Sequence, residues 1–258
     1  MGKRGDSVIG IDLGKHAFKG VALRRKNDSR FVLTNFASRE VPETFPTAQA
    51  LAEELKQLLR ELGNGAKNCA VAISDPASLL RIVEQPETPI NLLRSALRLS
   101  GLSVLNQDCK DFVLDVTPVN AKVSPGSDTV SGGGLTTTAI QNQVIATTKY
   151  LVGGMLRETV KQVFEAVNKT RVAPTIFQLA PVCSFNAFEI AYPEIFNNEA
   201  FLLFDMGHLQ STVLVGSRGE LVLVRSIEAG GKALTEALTA EGALEKESVW
   251  KMIEQGDG

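Results

Sequence analysis

Short runs of alternating apolar and polar residues take turns along the chain with longer stretches whose apolar residues recur every three or four positions. That is the pattern of an α/β protein with mixed sheets. Residues 8–13, 17–23 and 30–37 predict three strands. Residues 46–62 then predict an amphipathic helix, with Leu51, Leu55, Leu58, Leu59 and Leu62 on one face and Gly63-Asn64-Gly65 as its stop. Strands are expected at 69–73 and 79–83, a short helix from Ile90 ending at Gly101, and strands at 112–116 and 144–147. A helix over 150–167 follows, carrying Leu151, Met155, Val160, Val163, Phe164 and Val167. Beyond it come a strand at 172–176, a helix at 178–188 with Pro181 in its first turn, and strands at 201–205, 212–215 and 221–227. Gly230-Gly231 opens one more helix, and another starts near Leu244.

One element is written twice. Val8-Ile9-Gly10-Ile11-Asp12-Leu13-Gly14 and Leu202-Leu203-Phe204-Asp205-Met206-Gly207 are both apolar strands that end in Asp-x-Gly and are followed by a second strand. In each, the strand delivers a carboxylate to its end, and glycine is expected to turn with positive φ and let backbone approach a ligand. A single Asp-x-Gly is a common hairpin. Two copies facing each other would bracket a polyphosphate and its Mg²⁺, with Lys15, His16, Lys19 and Ser211 as further candidates to face the phosphates.

These hairpins resemble the two phosphate loops of the actin, Hsp70 and sugar-kinase superfamily. Within it the chain is similar to the type IV pilus assembly PilM family, relatives of the cell-division protein FtsA. The resemblance rests on residues 9–14 with Lys19, on 112–116, on 203–207 and on 225–235, and so spans nearly the whole chain. It implies an actin-like, ribonuclease-H-type fold carrying a small inserted subdomain. The first subdomain is then residues 1–85 and 169–198, the insert 86–168, and the start of the second domain 199–258. Within the insert, 124–139 is too rich in Ser, Thr and Gly to fold alone and is expected to be flexible.

By the same resemblance, Asp12 and Asp205 hold Mg²⁺ through water. Gly14, Lys15, His16, Lys19, Gly207, Ser211, Gly230 and Gly231 line the phosphates of ATP, and Gln178 orients the attacking water. Glutamine holds a water yet takes no proton from it, so ATP hydrolysis is expected to be slow. The superfamily's glycine-rich adenosine loop has no counterpart before Gly258, and Trp250 falls near a position where the family places an acidic group. The sequence therefore reads either as a truncated fragment or as a protein that has lost nucleotide binding, and this chain is expected to bind ATP poorly and to self-associate through its unpaired faces.

Composition narrows the partners. Net charge is -2, so no global basic field suggests nucleic acid. Three cysteines far apart form neither a disulfide framework nor a zinc site, and no apolar run is long enough to span a membrane, so a cytoplasmic protein is expected. The resemblance then implies a scaffold of pilus assembly that binds the N-terminal cytoplasmic tail of a PilN-like inner-membrane protein. The groove for it is expected around 86–99 and 151–164, with Arg94, Arg98 and Arg157 in contact. Two alternatives remain at this point: a sugar or phosphotransfer kinase of the same superfamily, which needs a further carboxylate as base, and the cytoplasmic part of a type II secretion L-protein.

Overall fold

The computed structural model describes residues 7–27, 30–63, 65–119, 147–240 and 248. The expected loop at 124–139, the helix near Leu244 and Trp250 lie outside them, as do residues 144–146 of one expected strand.

The first strands, β1 (Ser7–Leu13), β2 (Ala17–Asn27) and β3 (Arg30–Glu40), form an antiparallel meander. Helix α1 (Ala48–Leu62) crosses back so that β4 (Asn68–Ile73) lies parallel to β1. The helix begins where the Thr47 hydroxyl accepts the Ala50 N–H at 3.2 Å, and it ends on Gly63 at a φ of 62°. Thr47 satisfies a backbone donor that the helix leaves orphaned, and a side chain at Gly63 would be strained. Leu51, Leu55, Leu58, Leu59 and Leu62 are all buried, each contributing about 1.5–3 kcal/mol by leaving water. They pack on the face of the sheet that carries Ile9, Ile11, Leu13, Cys69 and Val71. The edge strand β8 (Ala173–Leu179) completes the sheet in the order β3-β2-β1-β4-β8.

Strand β5 (Leu79–Pro86) leaves this sheet. Together with β6 (Phe112–Val119) and β7 (Thr147–Leu156) it makes a separate three-stranded sheet, ordered β5-β7-β6. The long helix expected over 150–167 is thus half strand: α3 occupies only Arg157–Asn168. The reason is a change of period at Leu156. Tyr150, Val152 and Gly154 alternate onto one face, and Gly154 has no room for a side chain, since a Cβ there would come 2.6 Å from Leu114. Helix α2 (Ile90–Leu105) likewise runs past Gly101, with a kink at Ser100. Gly101 serves close packing against Cys109, whose Sγ would lie 2.8 Å from a Cβ. Leu93 and Leu97 of α2 bury against Phe112, Leu114, Val116 and Val152 on one face of this sheet.

Helices α4 (Ala180–Ala191) and α5 (Pro193–Asn198) lead to the last sheet, ordered β11-β10-β9 from β9 (Ala200–Met206), β10 (Ser211–Ser217) and β11 (Glu220–Ile227). Helix α6 (Gly231–Ala240) follows. The succession of three antiparallel strands and a helix repeats the opening of the chain. An aromatic cluster of Phe185, Phe188, Phe196 and Phe201 joins α4 and α5 to β9, with ring centroids 4.6–5.9 Å apart.

Candidate functional site

The two Asp-x-Gly hairpins open on one cavity of about 630 Å³. Asp12, Gly14, Lys15, His16 and Lys19 line it from the first hairpin, and Asp205, Gly207, His208 and Thr212 from the second. The parallel strand β4 ends there too, adding Ser74 and Asp75, and α4 adds Cys183 and Ser184. A crevice at the carboxyl ends of parallel strands is the usual place for a ligand in an α/β sheet.

The repeat holds at atomic detail. A Cβ at Gly14 would lie 2.7 Å from the carbonyl oxygen of Ala17, and one at Gly207 would lie 2.7 Å from that of Gln210, three residues on in both cases. Neither glycine is in the left-handed region, which corrects the expectation of positive φ. What both turns require is space for a carbonyl, and only glycine leaves it.

The two carboxylates differ in environment. Asp12 Oδ1 is buried and has no hydrogen-bond partner among the described residues. Its other oxygen lies 3.8 Å from Lys19 Nζ, directly across the hairpin. Burial raises the Asp12 pKa, Lys19 lowers it, and the charge of Asp205 raises it again. Asp205 is exposed and accepts the Ser184 hydroxyl at 3.2 Å. Two neighbouring carboxylates, one with an unsatisfied buried oxygen, form a donor set that fits a hydrated divalent cation.

Other expected residues are placed differently. Lys15 forms an ion pair with Asp75 at 3.2 Å, so its charge is partly committed. Ser211 is buried and donates to the Ala229 carbonyl at 2.7 Å, and it does not line the cavity. Gly231 lines the cavity whereas Gly230 does not. A Cβ at Gly230 would lie 2.5 Å from both the Gly207 and His208 carbonyl oxygens, so this glycine permits a tight strand-to-helix passage. The N–H groups of Gly231 and Lys232 donate to those same carbonyls, at 2.9 and 3.0 Å. Both N–H groups are thus already hydrogen-bonded within the fold. Gln178 lies at the end of β8 and lines a second cavity.

Sequence reasoning missed Asp75, which gives the cleft a third carboxylate. Its position just past the end of β4, in Ser74-Asp75-Pro76, was the available signal, because a parallel strand beside β1 must end where β1 ends. It also missed Glu43, whose Oε1 receives Lys232 Nζ at 2.6 Å and stands 3.3 Å from His208 Nε2. His208 in turn stacks on His16, with centroids 4.8 Å apart and planes at 21°.

The second cavity, about 400 Å³, lies between the inserted sheet and the edge of the first one. Val113, Asp115, Thr117, Leu151 and Met155 line one side, and Phe177, Gln178, Val182 and Asn186 the other. None of residues 86–99 reaches it, because α2 covers the opposite face of the inserted sheet. Leu151, Met155 and Val160 do line it. Of the arginines expected there, Arg94 reaches round the edge of β6 to Asp115 at 2.7 Å.

No protein-family model matches this sequence, and no curated protein matches it. Among solved structures, one described as a PilM-PilN type IV pilus biogenesis complex superposes with a TM-score of 0.72 at 22% identity, over 97% of this chain and 69% of that one. A Bacteroides thetaiotaomicron protein of unknown function, described as having an actin-like ATPase fold, gives 0.49 at 14% identity, over 97% and 78%. The cytoplasmic domain of EpsL, an inner membrane component of the Vibrio cholerae type II secretion system, gives 0.46 at 12%, over 93% and 77%. With its strand order and its duplicated hairpin facing itself across a cleft, the chain has the actin-like fold.

Proposed function

We propose that this protein is a cytoplasmic, actin-like scaffold of pilus-type assembly, a PilM-like protein that captures the cytoplasmic tail of a PilN-like inner-membrane partner. The observation that carries the reading is the second cavity. Its walls are mainly apolar, with Asp115, Thr117, Gln178 and Asn186 among them, and it is bordered by β6 and β8, each the outer strand of its sheet among the described residues. Unpaired strand edges offer backbone N–H and C=O groups to an extended peptide, and alternate side chains of that peptide fill the apolar space between them. The fold is shared with a structure described as a PilM-PilN complex. Among the described residues no helix is long and apolar enough to cross a membrane. The tail orders on docking, and its affinity is modest for that reason.

The cleft between the hairpins is the place for Mg²⁺ and the phosphates of a nucleotide. Asp12 and Asp205 would hold the cation through water, and Lys19 and the backbone around Gly14 and Gly207 would face the phosphates. Bound Mg²⁺ supplies charge neutralisation for the phosphates. Asp12 supplies a buried oxygen that has no hydrogen-bond partner among the described residues. A phosphotransfer reading needs a carboxylate able to take an acceptor's proton, and Asp75 is held by Lys15.

The test is capture of the N-terminal cytoplasmic segment of a PilN-like protein by the full chain. Asn186 is exposed and lines the second cavity. Asn186→Trp should fill that space and lower affinity roughly tenfold or more, with the thermal midpoint unchanged. Reversing Arg98, on the helix that covers the opposite face, should leave capture intact. If Asn186→Trp binds the segment at wild-type strength, the cavity is not the docking site and this reading fails.

A further inference from the structure

Two rigid jaws meet beside the cleft, one from each half of the molecule. The 41–47 segment belongs to the first half and is braced at several points. The Val41 N–H donates to the His16 carbonyl at 2.9 Å, and Phe45 stacks on Phe18 at 5.5 Å. Gln162 of α3 donates to the Phe45 carbonyl at 2.9 Å, and Thr47 caps α1. Opposite stands the passage from β11 into α6, locked onto the second hairpin by the Gly231 and Lys232 N–H groups and by the tight packing of Gly230. From the braced segment Glu43 reaches the other jaw, where its Oε1 receives Lys232 and stands 3.3 Å from His208 Nε2.

We infer that Glu43 is a latch that holds the two halves together across the cleft. A carboxylate is acceptor only, so His208 presents Nε2–H to it, which fixes the tautomer of the ring that stacks on His16. The halves are also joined by the Phe185, Phe188, Phe196 and Phe201 cluster, a continuous apolar contact that resists separation. One contact is therefore a hinge of buried and half-buried rings, and the other a polar contact that water and ions can replace. Opening the cleft breaks the Glu43 contacts first, because charged contacts at a partly exposed site are worth little individually and exchange readily with solvent. The inference concerns how the halves are held and does not depend on what occupies the cleft.

Backbone hydrogen exchange of the full chain, read at the second turn (206–211) and the first turn of α6, tests it. Glu43→Gln should accelerate exchange roughly two- to fivefold at both places. Glu43→Lys should accelerate it further, because lysine then faces Lys232, and Lys232→Glu alone should do the same. The double exchange Glu43→Lys with Lys232→Glu should return protection toward the wild type, which a merely structural defect at either site would not do. Unchanged exchange in Glu43→Gln, or failure of the charge swap to recover protection, overturns the latch.

Discussion

The two hairpins share a backbone and differ in their carboxylates. Both turns bring a carbonyl to within 2.7 Å of where a glycine Cβ would stand. Only Asp12, however, has an oxygen buried without a partner, while Asp205 is exposed and hydrogen-bonded to Ser184. The neighbours explain the contrast. Asp12 ends a central strand flanked on both sides by β2 and β4, whereas Asp205 lies on an outer strand. Duplicated geometry thus supplies two similar loops, and the surrounding sheet decides which carboxylate is held out of water. A central position makes a fixed ligand, and an outer one makes an adjustable partner.

The comparison breaks most visibly at the glycines. Gly14→Ala and Gly207→Ala each place a methyl against a backbone carbonyl that cannot step aside without moving the strand after it. Each should cost about 1–3 kcal/mol in chemical unfolding, and the two costs should be alike. A loss at one turn with none at the other would mean that the shared geometry is not shared strain.

At the carboxylates the hairpins should part company. In the absence of metal, burial raises the Asp12 pKa above its unfolded value. Its contribution to stability is therefore full below the unfolded pKa and falls away as pH rises through the folded one. Asp12→Asn should accordingly be neutral or slightly stabilising near pH 7 when no metal is added. Added Mg²⁺ reverses the order: a cation at ten times its Kd stabilises by about 1.4 kcal/mol. That gain should vanish in Asp12→Asn and only weaken in Asp205→Asn. Thermal melts with and without Mg²⁺ check it, and equal losses in both variants would erase the distinction.

The duplication was legible in the sequence, the contrast between its two carboxylates was not, and the limits of legibility have physical causes. The duplicated Asp-x-Gly strand and the leucine face of α1 are strong local periodicities, and both appear where the pattern put them. Residues 150–156 misled because Leu151 and Met155 fit a helical spacing as well as an alternating one, and only pairing with β5 and β6 decides between them. Gly101 looked like a helix stop, but its smallness serves Cys109, eight residues ahead. Glu43 carries no pattern at all, because its partners lie 165 and 189 residues away. Side chains that meet only in the fold leave no period to read.

The latch sharpens the comparison through pH. Hydrogen bonds from Lys232 first and His208 second hold the Glu43 pKa below its ordinary value. The hydrogen bond to Glu43 raises that of Lys232, with Glu236 adding to it. Glu43's share of stability is present above its unfolded pKa and lost as pH falls through the depressed folded one; Lys232's share is lost only as pH rises through its elevated value. The groups facing this contact are Glu43, Lys232, Glu236, His208 and the stacked His16. From neutral pH up to the lysine limit the difference in thermal midpoint between wild type and Glu43→Gln should be constant, and it should close as pH falls through the carboxylate range. A difference that persists below the carboxylate range would assign the effect to packing.

The smallest effect gives the most local reading of the first hairpin. Cys183 lines the cleft, and its thiol pKa is raised first by burial and then by the negative charge of Asp12. Cys69 and Cys109 are buried, and burial pushes the Cys69 thiol to about 11, so alkylation of the native protein reports on Cys183. Removing the Asp12 charge should lower the Cys183 pKa and increase its thiolate fraction at pH 8. Asp12→Asn should therefore speed alkylation by a factor of a few, a size consistent with one partly screened charge. Asp12 is the charge that raises the Cys183 thiol, so Asp205→Asn should change the rate less. If both variants speed the reaction equally, the cause is general loosening of the cleft, and the two carboxylates are then no longer distinguished by what surrounds them.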